Sequence, residues 1–176
     1  MSLLTVLVWR AAATAPDGRL HLTVLEVGSG NGLLVQTPEG RYLLIDGGPS
    51  PSALSQGLGR RLPFYHHRID YLVIAAPVEE QVGSLPEVIE RDPPENVLWA
   101  GAPQATSASR FLQRTLNQLN IQPLTALEGQ RLELGQGASL RVLKTSQRGA
   151  VLLLKWRSFQ VLLPIGMDFE TLTALQ

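Results

Sequence analysis

The chain has no cysteine. Disulfides and thiolate metal sites are therefore excluded, and cysteine usage leaves the redox compartment undecided. Histidine is scarce, with only His21, His66 and His67 in 176 residues. Net charge is missing as well: Lys+Arg and Asp+Glu are both 15. A global basic field of the kind that drives non-specific nucleic-acid binding is thus ruled out. The same balance leaves little electrostatic resistance to self-association. Long apolar runs are lacking. The best candidate, Leu3 to Trp9, falls far short of the ~20 residues that cross a bilayer. It also lacks the basic leader and small-residue cleavage site of a secretory signal. Two readings of it stand: a buried first strand, or the trailing end of an upstream transmembrane helix with Trp9 and Arg10 at the interface.

What is present is the material for one domain. The apolar fraction is 44%, enough for a packed core and far from a disordered composition. Small residues from Ala11 lead into a Pro16-Asp17-Gly18 turn. Leu20 to Leu25, Leu33 to Thr37 and Arg41 to Ile45 alternate or run apolar between glycine turns, which predicts a three-stranded meander. Ser52 to Arg61 predicts a short helix. Tyr71 to Ala75 reads as a fully buried strand. Ser84 to Glu90 places Leu85, Val88 and Ile89 on one helical face, and Pro93-Pro94 ends it. Val97 to Trp99 predicts a strand. The clearest helix is Ser107 to Asn120, with Phe111, Leu112, Thr115, Leu116 and Leu119 at spacings of three and four and Thr106 or Ser107 as cap. Arg131 to Leu134, Ser139 to Leu143, Ala150 to Trp156 and Phe159 to Pro164 predict strands, the last two a hairpin about Arg157-Ser158. Strands on both sides of the helices predict a mixed α/β sandwich rather than a doubly wound sheet.

Four blocks of sequence point further. Leu20-His21-Leu22-Thr23-Val24-Leu25-Glu26-Val27-Gly28-Ser29-Gly30-Asn31 is similar to the Leu-His-Val-x-Phe-Leu-Asp-Val-Gly-Gln-Gly-Asp opening of the ComEC-type competence domain. Leu44-Ile45-Asp46-Gly47-Gly48 matches that family's next block unchanged. Ala75-Ala76-Pro77-Val78-Glu79-Glu80-Gln81-Val82-Gly83-Ser84-Leu85-Pro86 keeps the frame of the Thr-His-Pro-His-x-Asp-His metal motif of the metallo-β-lactamase superfamily and its Ile-Gly-Gly-Leu-Pro continuation. Leu127 to Leu134 and Gly149 to Gly166 resemble the turn and strand pair that follow. The resemblance runs from about Asp17 to the C-terminus.

It implies an α/β metallo-β-lactamase-like αββα sandwich, here only its N-terminal half, because the family continues into a second half with a His-His-Gly-Ser block. Residues 1–18 become a leader or the tail of a transmembrane helix, and residues 19–176 the domain. In that family the domain belongs to a cell-membrane protein that moves transforming DNA inward, and it is thought to act there as a nuclease. Zinc or manganese is the family's metal. The missing half implies an open apolar face, which would favour pairing with another copy.

The departures bear on chemistry. Ala76, Val78 and Gln81 stand where the three histidines belong, and Glu80 where the aspartate belongs. Alanine and valine offer no lone pair, and a neutral amide is a poor zinc ligand. The opening aspartates become Glu26 and Asn31. Gly166 takes the place of the bridging aspartate unless a two-residue shift restores it as Asp168. The expectation is a lost metal site, with no catalytic, cofactor-binding or metal residue to assign and no cofactor. The domain is then a structural or interaction module of the DNA-uptake protein. Its expected partners are the membrane channel of the same parent, DNA through arginines, and a second copy. The alternative is a metal-dependent hydrolase or nuclease with a hard-cation site built from Asp46, Glu79, Glu80 and Asp168. That alternative requires Asp46, Glu80 and Asp168 to converge.

Other candidates have two readings each. Asp46 either orients a metal ligand or is a turn aspartate before glycines of unusual backbone angle. Glu79 and Glu80 are ligands or an acidic helix start. His66-His67 lies upstream of its strand and reads as a solvent-exposed loop pair. Gly28 to Gly32 has no helix after it and reads as a hairpin turn rather than a phosphate loop. Ser29, Ser84 and Ser146 have no histidine or acid at a spacing that would activate them. The arginines, Arg60, Arg61, Arg68, Arg110, Arg114, Arg131, Arg141, Arg148 and Arg157 among them, are scattered solvated charge unless the fold gathers them.

Overall fold

The computed structural model describes residues 16–166, with the exception of Phe64 and His67. Two sheets lie face to face, with helices on the outside of the first. The first sheet has six strands: β1 (His21–Val24), β2 (Leu33–Gln36), β3 (Tyr42–Ile45), β4 (Ile69–Ile74), β5 (Pro94–Trp99) and β6 (Leu124–Thr125). β1, β2 and β3 form the antiparallel meander the glycine turns announce; β3, β4, β5 and β6 then run parallel. Parallel neighbours need crossovers, and helices supply them. These are α1 (Pro51–Gly59), the short α2 (Glu79–Val82), α3 (Leu85–Arg91) and α4 (Ser107–Gln118). The second sheet is antiparallel, in the order β10 (Phe159–Leu163), β9 (Gly149–Trp156), β8 (Ala138–Ser146), β7 (Arg131–Gly135).

Strand alternation explains why one sheet carries two cores. On β3, Tyr42 and Leu44 join the cluster under the helices, while Leu43 and Ile45 join the cluster between the sheets. The helices send Leu54, Leu58, Leu85, Ile89, Leu112 and Leu116 into the first cluster. β8 and β9 send Leu140, Val142, Leu152 and Leu154 into the second. A strand buried on both faces reads as a continuous apolar run, which is what Tyr42 to Ile45 and Leu72 to Ala75 are.

Local chemistry fixes the helix starts. Ser50 caps α1 by accepting the Ala53 N–H, and Pro51 occupies a first-turn position where no N–H is missed. Thr106 and Ser109 form a reciprocal capping box on α4.

Several expectations needed correction. β4 begins at Ile69 rather than Tyr71, and β8 runs on to Ser146 past a register shift between Val142 and Lys144. The bulge breaks the alternation that would have shown the longer strand. β6, two exposed residues beside β5, has too little pattern to read from sequence. His66 is not a free loop residue. Its ring meets Tyr42 edge-on at 4.7 Å, and its side chain is only 23% exposed. The outer face of the second sheet presents Arg131, Arg141 and Lys155 beside Leu153 and Leu162.

Candidate functional site

The carboxyl ends of β3, β4 and β5 meet at one end of the first sheet, where loops rather than strands carry the side chains. In open sheets with parallel strands this is where chemistry collects. The Gly28 to Gly32 turn and the glycines bounding β9 and β10 arrive at the same place.

Asp46 ends β3 with a left-handed backbone, φ 52°. Its N–H donates to the Val73 carbonyl at 2.9 Å, and its Oδ1 accepts the Ala75 N–H at 2.8 Å. The carboxyl is fully buried, and no hydrogen bond of normal geometry reaches Oδ2. Burial drives its pKa well above the ordinary value of 3.8, with the Ala75 and Ala76 amides acting against the rise. Burial thus favours the neutral form of a carboxyl that is tied to backbone. Asp46 has the left-handed backbone expected of a turn before glycines, but it sits in the core rather than at the surface.

The two glycines after it act as a clamp. The N–H groups of Gly47 and Gly48 both donate to the Gln81 carbonyl, at 2.8 and 3.0 Å. Ser84 answers from the other side, its Oγ donating to the Gly47 carbonyl at 2.8 Å. A Cβ on Gly47 would come within 2.7 Å of Leu54, Leu85 and the Ser84 hydroxyl. Ser84 is thus a buried structural hydroxyl. Ser29 is exposed on its turn, and Ser146 accepts the Arg148 N–H in the β8–β9 turn at 3.1 Å. None of the three serines is placed as a nucleophile.

The four positions of the ligand frame have separate fates. Ala76 is 3% exposed and packs under the β9 backbone: the Ala150 N–H donates to the Ala75 carbonyl at 2.8 Å, and a Cβ on Gly149 would come within 3.0 Å of the Ala76 Cα. Val78 is half-buried, while Glu79 and Glu80 are exposed at the start of α2. Gln81 is buried, and its Oε1 accepts the Asn31 N–H at 2.7 Å. That bond holds the glycine turn against α2 so closely that a Cβ on Gly30 would overlap the Glu80 carbonyl.

Sequence reading did not foresee this use of Gln81. The donor is the Asn31 backbone, which any residue but proline would supply, so no side-chain signal announced it. Among the described residues no three histidine, cysteine, aspartate or glutamate side chains gather where a metal could sit. Asp168 and His67 lie outside the described residues, so the convergence of Asp46 with Glu80 and Asp168 is not on view. Asp46 and Glu80 themselves differ: one is enclosed, the other faces solvent.

His66 lies away from these loops. Its Nε2 is 3.9 Å from Asp70 Oδ2, beyond hydrogen-bond range, and Asp70 Oδ2 instead accepts the Tyr42 N–H. Burial pushes the Tyr42 phenol up to about 12, with Tyr65 and Asp70 adding to the effect. The arginines are spread over several faces. Arg68 pairs with Glu95, Arg131 with Glu133, and Arg157 lies over the Trp156 ring.

No family model matches the chain, and no curated protein matches it. Solved structures do. The metallo-β-lactamase SMB-1, in a complex with mercaptoacetic acid, superposes with a TM-score of 0.58 at 15% identity, over 92% of this chain and 71% of that one. MEM-A1, a subclass B3 metallo-β-lactamase from a soil metagenome library, gives 0.54 at 15% identity, over 84% of this chain and 60% of that one. A motif mutant of the metallo-β-lactamase of Cronobacter sakazakii gives 0.53 at 16% identity, over 76% and 56%. The chain thus spans little more than half the length of the last two. Its fold is metallo-β-lactamase-like, in part-length form.

Proposed function

We propose that this chain is a non-catalytic structural and interaction module of a ComEC-type membrane protein for DNA uptake. In this reading the chain's hydrolase-superfamily fold has kept its frame and lost its metal site. The parent protein places it at the cell membrane, its nearest partner is the channel part of that parent, and its arginines touch the passing DNA. The order of the Leu20 to Asn31, Leu44 to Gly48 and Ala75 to Pro86 blocks supports the family assignment.

One observation carries the loss of the metal. Gln81, in the third-histidine position, already spends its oxygen on the Asn31 N–H. Around it, Ala76 has no donor atom, and Asp46 is enclosed with its Oδ1 bound to the Ala75 N–H. These donors do not suit zinc, which takes histidine, cysteine or carboxylate in a converging set. They do not suit a hard cation either, which needs several oxygens facing one point.

Elemental analysis of the purified chain, prepared with zinc and manganese on offer, tests the reading. The expected content is well below one ion per chain, with no change in melting temperature on adding either metal. One or two ions per chain would sink it and make Asp46, Glu80 and Asp168 the residues to mutate in a nuclease assay.

A further inference from the structure

The second sheet turns its inner face to the core and leaves an outer face on which positive charge collects. Register places Arg131 of β7 directly opposite Arg141 of β8, and Ser139 of β8 opposite Lys155 of β9, which in turn faces Gln160 of β10. These residues, with Leu153, line one open groove. Glu133 is the counter-charge there, and it is bound to Arg131 at 2.7 Å. Arg141 and Lys155 have no ion-pair or hydrogen-bond partner among the described residues. Like charges placed directly across a ladder destabilise a sheet; Glu133 offsets Arg131, and Arg141 opposite it is left for a further anion to offset.

We infer that this face binds the phosphate backbone of a nucleic-acid strand, through Arg141 and Lys155 with Arg131 in support. The cations are spread over three adjacent strands, a width of two strand spacings or ~10 Å. They do not converge on one point, so the arrangement fits a run of phosphates rather than a single anion. Guanidinium forks grip phosphate oxygens, and the exposed Gln160 amide can donate to the same oxygens. Base edges find little here to read, so binding is independent of sequence and sensitive to salt. That the strand is DNA in transit rests on the function proposed above. That the ligand is a polyanion rests on the face itself.

The test is fluorescence anisotropy with a labelled single-stranded oligonucleotide of mixed sequence, across a salt series. Wild type is compared with the double variant R141E/K155E and with a control, R68E/R114E, that reverses two arginines elsewhere. Circular dichroism and melting confirm that all three are folded. Wild type should bind with a log–log salt slope of about −2, as three phosphate contacts to a single strand require. R141E/K155E should lose about tenfold or more in affinity at low salt and most of that slope, while the control stays close to wild type.

Binding that the double variant leaves intact would remove this face as the site and leave the DNA-uptake reading standing. No binding by wild type would overturn both. Binding of poly-glutamate in place of the oligonucleotide, abolished in R141E/K155E, would overturn the nucleic-acid assignment in favour of an acidic protein.

Discussion

Asp46 shows how little a well-matched motif residue says about its state. Its block is unchanged from the family pattern, yet its carboxyl sits in the core with one oxygen unpartnered. The raised pKa has a consequence for stability. The unfolded chain releases this proton near 3.8, and the folded chain holds it to a much higher pH. Between those values the folded state carries the extra proton, so stability falls as pH rises through the window and is fully present only below it. D46N should remove that dependence. Asparagine tolerates a left-handed backbone, and its Oδ1 can still accept the Ala75 N–H. Urea unfolding at pH 4, 5, 6 and 7 should show wild type losing stability relative to D46N as pH rises. Parallel curves for the two proteins would mean that the folded carboxyl is not held neutral. At the same scale, the sequence alone shows that Ala76 and Val78 offer no donor atom and that Gln81 offers only a neutral amide. What they do it does not show, because the partners of Gln81 and Ala76 lie tens of residues away, at Asn31 and Gly149.

At the scale of elements, most of the chain could be read because its local signals agree. α4 is the clearest case: Leu112, Thr115 and Leu116 are buried at the expected spacing and the Thr106 cap holds, while Phe111, expected on the same face, stays exposed. The cap also does something that sequence could not show. Thr106 Oγ1 accepts the Ser109 N–H and donates to the Pro77 carbonyl, both at 3.1 Å, so the helix start is pinned to the loop after β4. T106A removes both bonds. A lost cap costs about 1 kcal/mol, and a carbonyl left without its donor adds to it, so a total of about 1–2 kcal/mol is expected. T106S keeps the hydroxyl and should recover most of the loss in the same chemical-denaturation assay. Elements without redundant signals were the ones misread. β6 is two exposed residues that depend on a parallel neighbour; α2, a single turn, was legible only as the acidic helix start that Glu79 and Glu80 make. His66 was misjudged for a related reason: it sits in a loop, and only the fold reveals that Tyr42 from β3 comes to meet it.

The whole molecule is organised around one sheet with a core on each face, and the sequence expresses that in its doubly apolar runs. The family blocks gave the sandwich; the parallel order of β3 to β6 came from crossovers that no local pattern states. The arrangement makes a claim about cooperativity. Leu43 and Leu44 are adjacent on β3 and both fully buried, but Leu43 faces the second sheet and Leu44 faces the helices. If the layers were separable, damage on one side would unfold that side alone. Yet β3 hydrogen-bonds to β2 and β4, and every strand of the first sheet between its edges is shared by both layers. L43A and L44A should each cost about 2–5 kcal/mol through lost burial and the cavity left behind. Each should lower the midpoint of one single transition, with calorimetric and van't Hoff enthalpies in agreement. A second transition in either variant, followed by fluorescence from Trp99 near the helices and Trp156 near the second sheet, would show that the two cores unfold apart.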